Sequence, residues 1–90
     1  GMTLVEDNNK IVGIFTDGDL RRCISNKVDI NQTLIKDVMT PDFKSIQSKD
    51  LAIDAAKVME DNKIFTLVVF KSDNAIGVLS MHDLLKSGIV

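Results

Sequence analysis

Two short stretches of this sequence carry residue types that suit recognition chemistry, Thr16-Asp17-Gly18-Asp19 and Ser80-Met81-His82-Asp83. Each sets a hydroxyl three residues ahead of a carboxylate, directly after an apolar run. The flanking residues align without a gap: Gly13 with Gly77, Thr16 with Ser80, Asp19 with Asp83 and Leu20 with Leu84. An internal repeat governs the fold, so it is read before anything else. Each copy reads as a short strand, a hydroxyl, two linker positions, then an aspartate opening a helix.

This pattern has two readings. A Thr or Ser followed three residues later by an acid is a capping box, in which Thr16 and Ser80 satisfy orphan helix amides. Asp19 and Asp83 then reach back to the cap and complement the positive helix end. In the other reading, the strand-to-helix junction offers amide donors to an anion. The hydroxyl bonds a phosphate oxygen, and the carboxylate accepts from both hydroxyls of a ribose. The two readings are compatible, because one residue can cap when empty and contact ligand when bound. The candidate ligand contacts are therefore Thr16, Asp17, Asp19, Ser80 and Asp83. Arg21 and Arg22 read either as a solvated face or as an anion clamp, for which the planar guanidinium is suited.

No catalytic constellation accompanies them. No nucleophile has a base in a recognisable motif. The glycines lack the Lys-Ser/Thr ending of a phosphate loop. The one histidine, His82, stands at a helix start with no Cys/His cluster near it in sequence, so no metal site is expected. Cys23 excludes an internal disulfide, suits a reducing cytoplasm and reads as a small core residue.

The strand, Gly, two apolar residues, Thr/Ser-x-x-Asp and helix resemble the end of a cystathionine-β-synthase-type (CBS) motif. The first copy, Gly13-Ile14-Phe15-Thr16-Asp17-Gly18-Asp19-Leu20-Arg21-Arg22, is similar to the CBS pair that ends bacterial arabinose-5-phosphate isomerases of the sugar isomerase (SIS) family. The close of the chain, Asp83-Leu84-Leu85-Lys86-Ser87-Gly88-Ile89-Val90, resembles the way those proteins finish. The resemblance implies tandem motifs packed about a pseudo-twofold axis, with adenine nucleotides bound in the clefts between them.

The elements that must position these residues follow from periodicity and turn chemistry. Thr3 to Val5 and Ile11 to Phe15 make a hairpin around the polar turn at 6–10. A helix from about Gly18 to Ser25 puts Leu20, Cys23 and Ile24 on one face, with Asn26 near its C-cap. Residues 27–33 form a loop. Leu34 to Met39 is a short helical turn ended by Thr40 before Pro41, similar to the family's entry into its second motif. Asp42 to Ile46 is extended, and the resemblance places a base edge along its backbone. Ser48 is the expected N-cap of a helix carrying Leu51, Ala55, Val58 and Met59 and ending near Asn62. Ile64 to Phe70 reads as a buried strand, Ala75 to Leu79 returns antiparallel to it, and Met81 to Lys86 is the last helix.

The fold class is thus α+β, built of CBS-type motifs. One complete β-α-β-β-α motif (41–90) follows a truncated β-β-α motif (1–30), with a linking turn between (31–40). The truncated motif implies exposed apolar surface, which small domains tolerate poorly. A homodimer or higher homo-oligomer would cover it.

The length, 90 residues, suits one compact domain. Eleven basic and 13 acidic residues are interspersed and leave a net charge of −2, which argues against nucleic acid or a membrane as main partner. No apolar run reaches membrane-spanning length. Gly1 before Met2 reads as a remnant of cloning, and so as a sign of an expressed fragment.

The expectation is a regulatory, ligand-sensing CBS fragment, cytoplasmic, itself without enzymatic activity or cofactor. By resemblance its parent interconverts ribulose 5-phosphate and arabinose 5-phosphate for Kdo, lipopolysaccharide or capsule synthesis. The implied ligand is an adenine nucleotide or CMP-Kdo. The alternatives are a structural dimerisation module that uses both boxes only as caps, and a CBS pair from another nucleotide-regulated enzyme or transporter.

Overall fold

A computed structural model describes residues 1–88. The elements run β1 (Met2–Asp7), β2 (Lys10–Thr16), α1 (Asp17–Ser25), a single 3-10 turn (Ile35–Asp37), β3 (Ser45–Gln47), α2 (Ala52–Asn62), β4 (Thr66–Lys71), β5 (Asn74–Ser80) and α3 (Met81–Ser87). The chain divides into two compact units, one ending at Phe43 and the other starting at Lys44. The strand-strand-helix order before Pro41 and the strand-helix-strand-strand-helix order after it are both as the sequence predicts.

In the first unit β1 and β2 pair antiparallel, with Asp7 opposite Lys10. Asn8 and Asn9 turn the hairpin with φ of 50° and 66°. Positive φ at both central residues is the signature of the turn that matches strand twist, and Asn tolerates it. β2 runs straight into α1. That helix ends at Asn26, whose N–H donates to the Arg22 carbonyl at 2.9 Å, while the Lys27 N–H donates to the Ile24 carbonyl at 3.1 Å.

The buried side of α1 differs from the expected one. Asp19 and Cys23, four residues apart, are its buried residues, while Leu20 is 40% exposed and Ile24 is exposed. The reason is not local, because the second copy has the same capping box: Leu20 lines an open hollow in the first unit. The repeat partner of Leu20, Leu84, is only 3% exposed, because α2 and β4 pack over it in its own unit.

In the second unit β3 pairs parallel with β4, and β4 pairs antiparallel with β5. Parallel neighbours need a crossover, which α2 supplies. Ala55, Ala56 and Met59 of α2 join Leu67 and Leu84 in one core cluster. The small alanines let α2 lie close to the sheet, and the fully buried Met59 fills the irregular gap left.

Ser48 is not the cap of α2. The N-cap is Leu51, with no side-chain capping bond. Residues 47–50 instead close on themselves: the Gln47 N–H donates to the Asp50 carboxylate at 3.0 Å, and the Asp50 N–H to the Gln47 carbonyl at 3.0 Å. Ser48 is held in line with the sheet by its N–H, which donates to the Phe70 carbonyl at 2.8 Å. β3 is also shorter than the extended stretch expected from residue 42, beginning only at Ser45. α3 starts and stops as expected, ending on Gly88 at φ 81°, a left-handed cap that favours glycine. Ile89 and Val90, part of the predicted closing motif, lie outside the described residues.

Candidate functional site

Both sequence boxes form complete capping boxes. Thr16 leaves β2 with extended backbone (φ −114°, ψ 171°), and its hydroxyl oxygen accepts the Asp19 N–H at 3.2 Å. Asp19 returns the bond through Oδ2, accepting the Thr16 N–H at 2.9 Å and the Thr16 hydroxyl at 3.1 Å. In the second copy the Asp83 N–H donates to Ser80 Oγ at 3.0 Å, and the Ser80 N–H to Asp83 Oδ2 at 3.0 Å. The predicted pairs Thr16–Asp19 and Ser80–Asp83 are therefore each brought together, one in each unit.

The two copies differ in what surrounds the carboxylate. Asp19 is 4% exposed. Its Oδ1 accepts the Thr40 hydroxyl at 2.9 Å and a guanidinium N–H of Arg22. Asp83 lies at the surface, bonded to Ser80. Burial pushes the Asp19 carboxyl up, but the bonds from the Thr16 amide, Arg22, Thr40 and the Thr16 hydroxyl together outweigh it, and the group titrates below its ordinary value. Asp83 is held below its ordinary value chiefly by the Ser80 amide, then by the Ser80 hydroxyl.

Thr40 is the residue that sequence reasoning missed. Its place before Pro41 marks it in the sequence only as the stop of a helical turn. Here it pairs with β2: the Ile14 N–H donates to the Thr40 carbonyl at 2.9 Å, and the Thr40 N–H to the Ile14 carbonyl at 2.8 Å. The bridge needs Gly13. A Cβ there would stand 2.6 Å from Met39 Sδ and 3.0 Å from the Thr40 carbonyl oxygen. The repeat partner, Gly77, has open space around it. The sequence signal was the pairing of a glycine inside a strand with a distant hydroxyl, and nothing in the chain says which hydroxyl.

Of the remaining candidates, Asp17 and Arg21 have their own surroundings, and Arg22 meets Asp19. Asp17 is exposed and pairs with the amino group of Gly1, which holds its carboxyl below the ordinary value first by hydrogen bonding and then by charge. Arg21 is exposed, and Arg22 is committed to Asp19. An open apolar hollow of about 220 Å³ in the first unit, lined by Phe15, Leu20, Cys23, Val28 and Ile35 among others, includes none of the five candidate contacts. Cys23 is buried at its edge, as a core thiol. Among the described residues no cluster of His, Cys, Asp and Glu is arranged to hold a metal, and no helix is long and apolar enough to cross a membrane.

The chemistry on offer is recognition. Each strand-to-helix junction presents a hydroxyl, a carboxylate and a helix N-terminus within one turn, with no nucleophile-base pair beside it.

The family model described as the CBS domain matches residues 35–89. The whole chain aligns with the arabinose 5-phosphate isomerase KdsD of Pseudomonas aeruginosa at 48% identity and with that of Escherichia coli K12 at 46%, and spans 28% of the length of each. Among solved structures, a CBS domain superposes with a TM-score of 0.90 at 28% identity, covering 100% of this chain and 71% of that one. A CBS domain protein of Pyrobaculum aerophilum complexed with AMP gives 0.84 at 19% identity, covering 100% and 76%. A CBS domain pair in complex with 5-methylthioadenosine and S-adenosyl-L-methionine gives 0.81 at 20% identity, covering 99% and 72%. The last two likenesses show the fold.

Proposed function

This chain belongs to the CBS domain family, and on that premise we propose that it is the regulatory, ligand-sensing part of a bacterial sugar-phosphate isomerase. The observation that carries the reading is the alignment of all of this chain with part of the arabinose 5-phosphate isomerases. In this reading residues 1–30 are the C-terminal part of a first CBS motif, 31–40 the linking turn and 41–90 the second motif. Interconversion of ribulose 5-phosphate and arabinose 5-phosphate, on the way to Kdo, lipopolysaccharide or capsule, belongs to the rest of the longer protein. That protein works in the cytoplasm as a homodimer or higher homo-oligomer.

The ligand is an adenine nucleotide or CMP-Kdo. The adenosine group shared by the ligands of two solved relatives supports the first of these. Thr16 or Ser80 would bond a phosphate oxygen, and Asp19 or Asp83 the ribose hydroxyls. Asp17 would flank them, and Arg21 and Arg22 would meet the anion. The ligand acts by preferring one packing of the two motifs and so biasing the attached enzyme.

One observation favours a second reading. Each box closes on its own hydroxyl, amides and carboxylate, which is all that a purely structural dimerisation module asks of it. A thermal-shift screen against AMP, ADP, ATP, CMP and CMP-Kdo separates the two. A ligand present at a hundred times its Kd stabilises by about 2.7 kcal/mol, a shift of several degrees for a chain of this size. Ser80→Ala or Asp83→Ala should abolish a shift that arises in the second copy. No shift with any of the five compounds would favour the structural module.

A further inference from the structure

We propose that the Asp19 carboxylate is a latch for the segment that joins the two units, and that holding Thr40 and gripping a ligand's hydroxyl pair exclude one another. The second half rests on the nucleotide reading above. The first half does not.

Three contacts fasten the segment to the first unit. Thr40 exchanges two backbone bonds with Ile14, at 2.9 and 2.8 Å. The Met39 side chain fills the notch left by the missing Cβ of Gly13. The Thr40 hydroxyl donates to Asp19 Oδ1 at 2.9 Å. Three residues further on, at Phe43, the first unit ends. Thr40 thus ties the joining segment to both β2 and α1.

A carboxylate has about four acceptor positions, and Asp19 receives four donors: the Thr16 amide, the Thr16 hydroxyl, Arg22 and Thr40. The Thr16 amide belongs to the helix start and, like the Thr16 hydroxyl, donates to Oδ2. Arg22, with its side chain 67% exposed, can turn into water at little cost. That frees one position, whereas a vicinal diol needs two. The second position on that same oxygen, Oδ1, is the one Thr40 holds. Burial points the same way, since a carboxylate 4% exposed admits no ligand until something covering it moves. Asp83 has no counterpart of Thr40 among the described residues. The two copies of one motif therefore do different work: only the first couples its carboxylate to the connection between the units.

Site-resolved amide hydrogen exchange of the chain tests this, on wild type, Thr40→Val and Thr40→Ser, each with and without AMP. Removing the hydroxyl should speed exchange at the amides of residues 14 and 40 by roughly five- to tenfold, the worth of one hydrogen bond. Val68 and Val69 in β4 should keep their rates, and Thr40→Ser should behave as wild type. An equal rise in both units, or no change at residues 14 and 40, would overturn the latch. With AMP, faster exchange at residues 14 and 40, or tighter binding to Thr40→Val than to wild type, supports exclusion. Protection of the Asp19 amide by AMP with residues 14 and 40 unchanged overturns it. If AMP binds none of the three proteins, AMP is not the ligand and the exclusion falls with it, while the latch stands or falls on the Thr40→Val rates alone.

Discussion

Asp19→Ala should destabilise this chain far more than Asp83→Ala, although the two aspartates occupy the same place in the repeat. The difference follows from what each deletion strands. Losing the Asp19 carboxylate leaves the Thr16 amide without its reciprocal cap, a loss of about 1 kcal/mol. It also leaves the part-buried Thr40 hydroxyl without an acceptor, which costs about 1–3 kcal/mol. Arg22 adds little, because its guanidinium returns to water. The sum is about 2–4 kcal/mol, a large share of the stability of a domain this small. Asp83 sits at the surface, so water replaces most of what its loss removes, and the effect should be clearly smaller. Asp19→Asn should fall between wild type and Asp19→Ala, since one oxygen can still serve either Thr16 or Thr40. Urea denaturation of the four proteins, compared at constant m-value, measures this. Equal losses for Asp19→Ala and Asp83→Ala, or a loss at Asp19 below about 0.5 kcal/mol, would refute the claim that Asp19 is a buried bonding node.

The same carboxylate sets a pH dependence. Its folded pKa lies below the ordinary 3.8, so its contribution is fully present above pH 3.8 and is lost as pH falls through the folded value. Acid unfolding of wild type should therefore steepen below pH 3.8, and Asp19→Ala should lose its share of that slope while Asp17 and Asp83, also held below the ordinary value, keep theirs. Gly13→Ala should cost about 1–3 kcal/mol by driving a methyl into Met39 and the Thr40 carbonyl. Gly77→Ala, with open space and a strand conformation, should be neutral or gain about 0.5–1 kcal/mol in the same denaturation assay. Met59→Ala should cost about 2–5 kcal/mol, because its side chain is fully buried in the second unit's core. Leu51→Ser should raise the melting temperature, worth about 0.5–2 kcal/mol, by giving α2 the side-chain cap it lacks.

The hairpins, both boxes and all three helices were legible because they rest on local rules. Asn8-Asn9 fits a tight turn, Thr16 and Ser80 fit caps, and Gly88 fits a left-handed stop. Where non-local contacts decide, the sequence misled. Ser48 has the chemistry of an N-cap, but its amide is drawn to Phe70 across the sheet, and Asp50 closes the turn that delays α2 to Ala52. Leu20 and Ile24 have the spacing of a buried face, yet Leu20 lines an open hollow, whereas α2 and β4 cover its repeat partner Leu84. The Thr40–Asp19 bond spans 21 positions in sequence, beyond the reach of any periodic pattern. The likeness of the two copies also hid their inequality, since Gly13 and Gly77 match in sequence while only one is packed against.

The central claim, a nucleotide-sensing CBS module, is tested most directly by chemical-shift mapping of the chain with AMP and, separately, CMP-Kdo. The account predicts saturable shifts for one of them, centred on the amides of 16–19, of 80–83, or of both. Saturable shifts centred elsewhere, or none with either compound at millimolar concentration, would contradict it.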